Sequence, residues 1–312
     1  MTPVQDLGEY KGNRLFIKRE DLLPFSFGGN KARKAELFFR EIDRGGYDCV
    51  VTYGSSSSNH CRVVANACCQ RNMPCSIIAP AEASEPTFNN RMMVLFGADI
   101  TTVPVSEVHD TIEARLAALR KAGKKPYFIP GGGHGDLGTE AYVQCYEEIR
   151  DWEAENGLHF DCLFFASGTG TTQAGLVCGR LLHGDEREII GISIARKNPR
   201  GRDIVLDSIR SYLGGRAEEE AIQKATVFVD AYTSGYGKED GKVRETIDTV
   251  LKRYGIPLDA TYTGKAFMGM TAYLENMRGR NILFIHTGGT PLFFDYLRRN
   301  DEHFDSCGRN KE

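Results

Sequence analysis

Seven apolar runs of strand length recur along this chain, and most are separated by segments of helical length. The runs are DCVVTY at 48–53, CSIIAP at 75–80, ADITTVPV at 98–105, PYFIP at 126–130, CLFFA at 162–166, EIIGISIA at 188–195 and NILFIH at 281–286. Helical spacing falls at 33–43, 59–71, 107–122, 137–154, 171–183 and 240–253. Strands apolar enough to be buried on both faces, alternating with helices, predict a parallel α/β architecture.

Glycine-rich turns mark the ends of these runs. GGN at 28–30, YGSSSSN at 53–59, PGGGHGDLG at 130–138, SGTGTTQAG at 167–175 and HTGG at 286–289 mostly stand between a strand-like run and a helix. In an open parallel sheet those are the carboxyl ends of strands, where ligands bind. Five such loops in 312 residues predict one composite site. With no repeat, low-complexity tract or long linker, two domains in this chain would be interleaved rather than strung in sequence.

The formal charge of -3 and the lack of a basic stripe remove any electrostatic case for nucleic acid or acidic membranes. No window approaches the roughly 18 to 20 apolar residues that span a bilayer. The first residues, MTPVQDLGEYKGNR, lack the apolar run of a secretory signal, so a cytoplasmic protein is expected. Nine cysteines without a CxxC pair fit neither a disulfide framework nor the common zinc patterns, and no metal is expected. They read as buried thiols of a reducing compartment, with Cys61 a candidate exception.

SGTGTTQAG follows the strand CLFFA and opens a helix. Small residues let backbone N–H groups approach an anion, Thr169, Thr171 and Thr172 add hydroxyls, and the helix start adds positive potential. The loop is not a Walker loop, since no Gly-Lys-Ser/Thr follows, and Gln173 stands where a dinucleotide fingerprint needs its third glycine. Taken alone it is a phosphate cradle or an empty glycine turn. In FGGNKARK, Lys31 and Lys34 share one helical face. They are a solvated charged helix start, or an amine for covalent work beside a phosphate partner. A lysine, a phosphate cup and no metal motif meet the requirement of pyridoxal phosphate. In GSSSSNHCR, Ser58, Asn59 and His60 open the next helix, as caps or as ligand-facing groups.

Taken together, IKREDLLPFSFGGNKARK, SSNHCR, SGTGTTQAG, TYTGKAFMGM and FIHTGGTP, in that order and spacing, resemble the fold-type II pyridoxal phosphate enzymes of the aminocyclopropane carboxylate deaminase and D-cysteine desulfhydrase group. The resemblance runs from about residue 2 to about residue 298. It implies a tryptophan synthase β-like fold of two interleaved three-layer α/β/α domains with mostly parallel sheets: a large cofactor domain of 1–34 and 131–312, and an inserted small domain of 35–130. It implies a Schiff base on Lys31, and phosphate held by Thr169, Gly170, Thr171 and Thr172 with help from Lys34. It places Asn59 on the 3'-oxygen of the cofactor, Thr287 beside the pyridine nitrogen, and Ser58 and His60 by the substrate carboxylate, with Asn59 between them. Ser58 would take part in proton transfer, and Tyr236 and Tyr262 would face the substrate. A homodimer acting on a small amino acid is the implied assembly.

Two departures bear on the reaction. The deaminase pattern has a glutamate after the second tyrosine, where this chain has Thr263, and Thr287 adds only a hydroxyl. A hydroxyl cannot stabilise a pyridinium as a carboxylate does. Loss of a good β leaving group is therefore favoured over opening an unactivated cyclopropane. The serine run with Cys61, and His134 and Asp136 in GGGHGD, also depart from the family, and the last two are expected near the substrate end. The expected activity is α,β-elimination to an α-keto acid and ammonia, as in D-cysteine desulfhydration. The alternatives are aminocyclopropane carboxylate deamination, β-replacement or elimination on another β-substituted alanine, and cofactor binding without turnover.

Overall fold

The computed structural model describes residues 1–232 and 241–300. Among them the elements run β1 (Val4–Tyr10), β2 (Asn13–Lys18), α1 (Asn30–Gly45), β3 (Cys49–Tyr53), α2 (Asn59–Gln70), β4 (Cys75–Pro80), α3 (Phe88–Leu95), β5 (Asp99–Val103), α4 (Val108–Lys121), β6 (Pro126–Ile129) and α5 (Asp136–Asn156). Then follow β7 (Cys162–Ser167), α6 (Thr171–Leu182), β8 (Glu188–Ser193), α7 (Arg200–Leu213), α8 (Glu219–Ala225), β9 (Val227–Val229), α9 (Gly241–Tyr254), α10 (Thr263–Tyr273), β10 (Asn281–Ile285) and α11 (Thr290–Arg299). All seven predicted strands form.

The strands make two sheets, β1-β2-β10-β7-β8-β9 and β5-β4-β3-β6. Only the β1–β2 hairpin is antiparallel. Alternation along the central strands explains why each sheet carries helices on both sides. In β7, Leu163 and Phe165 join the core under α5, α6 and α7, while Cys162, Phe164 and Ala166 face α9, α10 and α11. In the smaller sheet, Val50 and Ile77 pack beneath α1 and α2, and Val51 and Ile78 beneath α4. Each sheet is thus the middle of an α/β/α sandwich.

Helix α1 belongs to both layers systems. It packs on α2 and on α5, so a domain boundary after residue 34 cuts its second turn. Its amphipathic inner face buries Ala35, Phe38, Phe39 and Ile42, and a buried ion network pins its start to β2 and α5. Glu20 is wholly buried and accepts from both Nε and Nη2 of Arg33, at 2.6 and 2.8 Å, and from the Thr2 hydroxyl at 2.6 Å. Glu148 of α5 accepts from Lys18 and Arg33 at 2.9 and 2.8 Å.

The eight described cysteines are free, and all but Cys69 are buried. Cys61 is no exception: it is wholly buried, and burial pushes its thiol up to about 12. Among the described residues, no helix is long and apolar enough to cross a membrane and no group of side chains could hold a metal ion.

Candidate active site

The chain reaches Lys31 through four consecutive residues of positive φ: Ser26, Phe27, Gly28 and Gly29, at 47, 56, 62 and 89°. This left-handed turn disfavours side chains, and its contacts leave no room for them at the glycines. A Cβ on Gly28 would lie 2.4 Å from the Asp21 carbonyl oxygen, and one on Gly29 would lie 2.7 Å from that of Thr287. The turn is stitched by Gly29 N–H donating to Glu20 O at 2.7 Å and Asn30 N–H donating to Thr287 O at 3.0 Å. Lys31 therefore emerges in the first turn of α1, against the loop that follows β10.

A cavity of about 310 Å³ opens there. It is lined from all five glycine-rich loops: Asn30 and Lys31; Tyr53, Gly54, Ser55, Ser58, Asn59 and His60; Gly131 and Gly132; Gly168, Thr169, Gly170 and Thr172; Thr287 and Gly288. Tyr262 and Arg196 complete its polar wall. Helices α1 and α2 begin at the lining residues Asn30 and Asn59, α6 and α10 begin one residue after the lining residues Gly170 and Tyr262, and α11 begins two residues beyond Gly288. Five helix N-termini thus converge on one space, and no Asp or Glu is among the described lining residues. Orphan N–H groups and aligned dipoles make such a space favourable to anions.

Burial lowers the Lys31 amine from 10.5 to about 8, so about a tenth of it is neutral at pH 7, far more than for an exposed lysine. Lys34, one turn on, lies behind the cavity wall. Its Nζ donates to the Thr171 hydroxyl at 2.7 Å, and burial, with Lys31 nearby, holds its amine well below the usual range. Lys34 and the Thr171 side chain therefore buttress the cradle from behind, while Thr169, Gly170 and Thr172 face the cavity. Gly170, at φ 101°, turns the chain into α6, and Asn30 Nδ2 donates to Thr172 Oγ1 at 3.1 Å.

At the start of α2, Ser58 Oγ caps the helix by accepting from Cys61 N–H at 3.1 Å, which leaves its hydroxyl hydrogen for an acceptor in the cavity. The Thr52 hydroxyl donates to Ile129 O at 2.7 Å, so towards His60 Nε2, 2.9 Å away, it accepts. That fixes the proton of the neutral ring on Nε2. Burial, aided by Lys31 and Lys34, pushes His60 down to about 3.

Three expectations meet a different arrangement. The Thr263 hydroxyl is not offered to the cavity: it donates to Asp259 Oδ2 at 2.8 Å and accepts from Asp259 N–H at 2.9 Å, wholly buried. Asp259 is spent on capping α10. Asp136 accepts from the Ser211 hydroxyl at 2.9 Å, and His134 is hydrogen-bonded to the Thr169 backbone; neither lines the cavity. From their loop only Gly131 and Gly132 line the cavity. Tyr236 lies outside the described residues.

Tyr53 and Arg196 escaped the sequence reading. Each follows or ends a strand, β3 and β8, so the rule that ligands gather at the carboxyl ends of parallel strands was a usable signal for both. Arg196 Nη1 donates to Gly168 O at 2.6 Å, and no carboxylate among the described residues pairs with it. Burial and nearby Arg200 lower its guanidinium.

A buried lysine of lowered pKa beside helix N-termini that favour anions, at the switch point between β10 and β7, suits a phosphorylated carbonyl cofactor. The family model described as pyridoxal-phosphate dependent enzyme matches residues 1–288, and the chain belongs to that family. Among its relatives, a D-cysteine desulfhydrase of Serratia proteamaculans (strain 568) is 32% identical over 316 residues, covering 95% of this chain and 93% of the relative. Another, from Yersinia enterocolitica serotype O:8 / biotype 1B (strain NCTC 13174 / 8081), is 33% identical over 310 residues with the same coverage. The crystal structure of an ACC deaminase homologue matches with a TM-score of 0.84 at 29% identity, covering 96% of this chain and 92% of that one. The fold is that of the fold-type II pyridoxal phosphate enzymes.

Proposed function

We propose that this enzyme eliminates the β-substituent of a small amino acid, acting on D-cysteine to release sulfide, pyruvate and ammonia. The observation that carries the reading is the pairing of a partly neutral Lys31 amine with a cavity at five helix N-termini that has no Asp or Glu among its described lining residues.

The residues fit pyridoxal phosphate. Backbone N–H groups at the start of α6, with Thr169 and Thr172, would hold its phosphate, and Lys34 and Thr171 would support them from behind. Asn59 would meet its 3'-oxygen, Thr287 its ring nitrogen, and Lys31 its carbonyl carbon. When bound, the cofactor supplies an electron sink for the pair left at the substrate α-carbon.

The chain's own groups then account for the rest. The Ser58 hydroxyl and the backbone N–H groups of Asn59 and His60 receive the substrate carboxylate at the N-terminus of α2, where the dipole favours an anion. Lys31, once its amine is displaced, takes the α-proton. Tyr262, with Tyr236 in the same role, hands a proton to the departing sulfur. Water replaces the nitrogen at the α-carbon, so that cysteine and one water yield hydrogen sulfide, pyruvate and ammonia. Elimination is favoured over ring opening because Thr263 is spent on Asp259 and no described carboxylate reaches the cavity to keep a ring nitrogen protonated.

A cytoplasmic homodimer belongs to the same reading. So does a division into 1–34 with 131–312 and 35–130, supported by the two sheets. Purified protein should be yellow, and Lys31→Ala should abolish the visible band. A panel of D- and L-amino acids and aminocyclopropane carboxylate, scored by keto acid and sulfide release, tests the reaction. Robust ring opening with no sulfide from either cysteine would refute it.

A further inference from the structure

Arg62 is one of the largest wholly buried side chains in the molecule, and among the described residues no carboxylate pairs with it. It lies one turn after Asn59 on α2. Its Nη1 donates to Asn59 Oδ1 and to Asn89 Oδ1, each at 3.0 Å. Its Nε has no hydrogen-bond partner, and its guanidinium sits 5.8 Å from the centre of the Phe27 ring. Asn89, from α3, donates through Nδ2 to the same Asn59 Oδ1 at 2.9 Å and to Ser57 O at 2.9 Å.

A guanidinium only donates. Both amides must therefore turn their oxygens towards Arg62, which leaves Asn89 Nδ2 for its two acceptors. Asn59 Oδ1 then receives two donors, one for each lone pair, and its orientation is determined. Asn59 lines the cavity. We infer that Arg62 and Asn89 are positioning residues that lock the Asn59 side chain with its Nδ2 donor, and never its oxygen, turned towards the bound cofactor. A flipped amide would place an NH₂ group against two buried donors. The clamp therefore selects an acceptor oxygen at this point of the cavity, and the uncompensated positive charge behind it favours an oxygen bearing negative charge. The inference rests on the proposed contact between Asn59 and the 3'-oxygen of pyridoxal phosphate.

The test is a double-mutant cycle read by cofactor affinity: cofactor is removed, and pyridoxal phosphate is titrated back while the visible band is followed. Arg62→Met and Asn89→Asp should each weaken binding about tenfold or more, the scale of one buried charge-assisted hydrogen bond. Asn89→Asp keeps the side-chain shape and gives Arg62 a counter-ion while removing the donor to Asn59 and to Ser57 O. Because any loss of stability from the Ser57 contact is present with and without Asn59, the cycle separates it from the orienting effect. On top of Asn59→Ala, neither substitution should weaken binding further, because the amide they orient is gone. Unchanged affinity in both single variants, or an equal loss with and without Asn59, overturns the inference. Wild-type protein that binds no pyridoxal phosphate overturns the proposed cofactor contact itself, whereas normal wild-type binding with indifferent variants overturns only the clamp.

Discussion

The amine that the chemistry needs is a burden on the protein without its cofactor. Lys31 has its amine lowered from 10.5 to about 8 by burial. In the unfolded chain it returns to its ordinary value. Below pH 8 both states hold the proton and the folded state carries the whole penalty; between pH 8 and 10.5 only the unfolded state does, so folding stability rises with pH across that window. At about 1.4 kcal/mol per pH unit the penalty is at most about 3 kcal/mol, and residual contact with water reduces it. In Lys31→Met the stem keeps its length and the charge disappears, which also relieves the repulsion on Lys34. Cofactor-free Lys31→Met is thus expected to be more stable than cofactor-free wild type by about 1–3 kcal/mol at pH 7. At roughly 2 °C per kcal/mol for a chain of this size, that is a rise in melting temperature of about 2–6 °C. By pH 9.5 the advantage should shrink to less than half. Paired thermal melts at the two pH values decide it: a variant no more stable at pH 7, or an advantage independent of pH, refutes the assignment of Lys31 as a desolvated amine.

Other substitutions probe the remaining parts. Gly29→Ala forces a side chain into positive φ with its Cβ 2.7 Å from Thr287 O, and should lower stability by about 2–4 kcal/mol in denaturant titration. Thr171→Val removes the acceptor of the buried Lys34 amine while keeping its volume; about tenfold weaker pyridoxal phosphate binding is expected by equilibrium titration. Thr263→Glu would bury a second carboxylate against Asp259, so it should lower stability by more than about 3 kcal/mol and release no keto acid from aminocyclopropane carboxylate. Because His60 is pushed down to about 3, the pH–rate profile should show no imidazole limb near 6.5, and the acid side of the profile should be the same in His60→Asn.

The central strands were legible because burial on both faces writes a continuous apolar run, as in CLFFA. The β1–β2 hairpin was not: β1 is an edge strand with charges in VQDLGEY, and the apolar run of β2 is only Leu15–Ile17, flanked by Arg14 and Lys18. Helix α10 was hidden for the opposite reason, since GKAFMGM is buried almost all round and shows no polar face. In the site, residues at glycine turns could be found because the backbone demand is local. Thr263 misled because its neighbour Tyr262 faces the cavity while its own hydroxyl turns back to Asp259. The Arg62 and Asn89 pair left no trace, being 27 positions apart on different helices and meeting only when α3 folds over α2.

The pairing of the strands also dictates an order of assembly during synthesis. All four strands of the smaller sheet lie between Cys49 and Ile129, so that sheet can close while the rest of the chain is still to be made. Strand β2 leaves the ribosome before the smaller sheet is made, yet its parallel partner β10 begins only at Asn281, with Arg14 opposite it. The β1–β2 hairpin must therefore wait until every other strand has been made before its sheet can close. In that interval a nascent chain presents an unpaired strand edge to its neighbours and to chaperones. Protease digestion of stalled chains should show residues 49–129 protected well before residues 4–18.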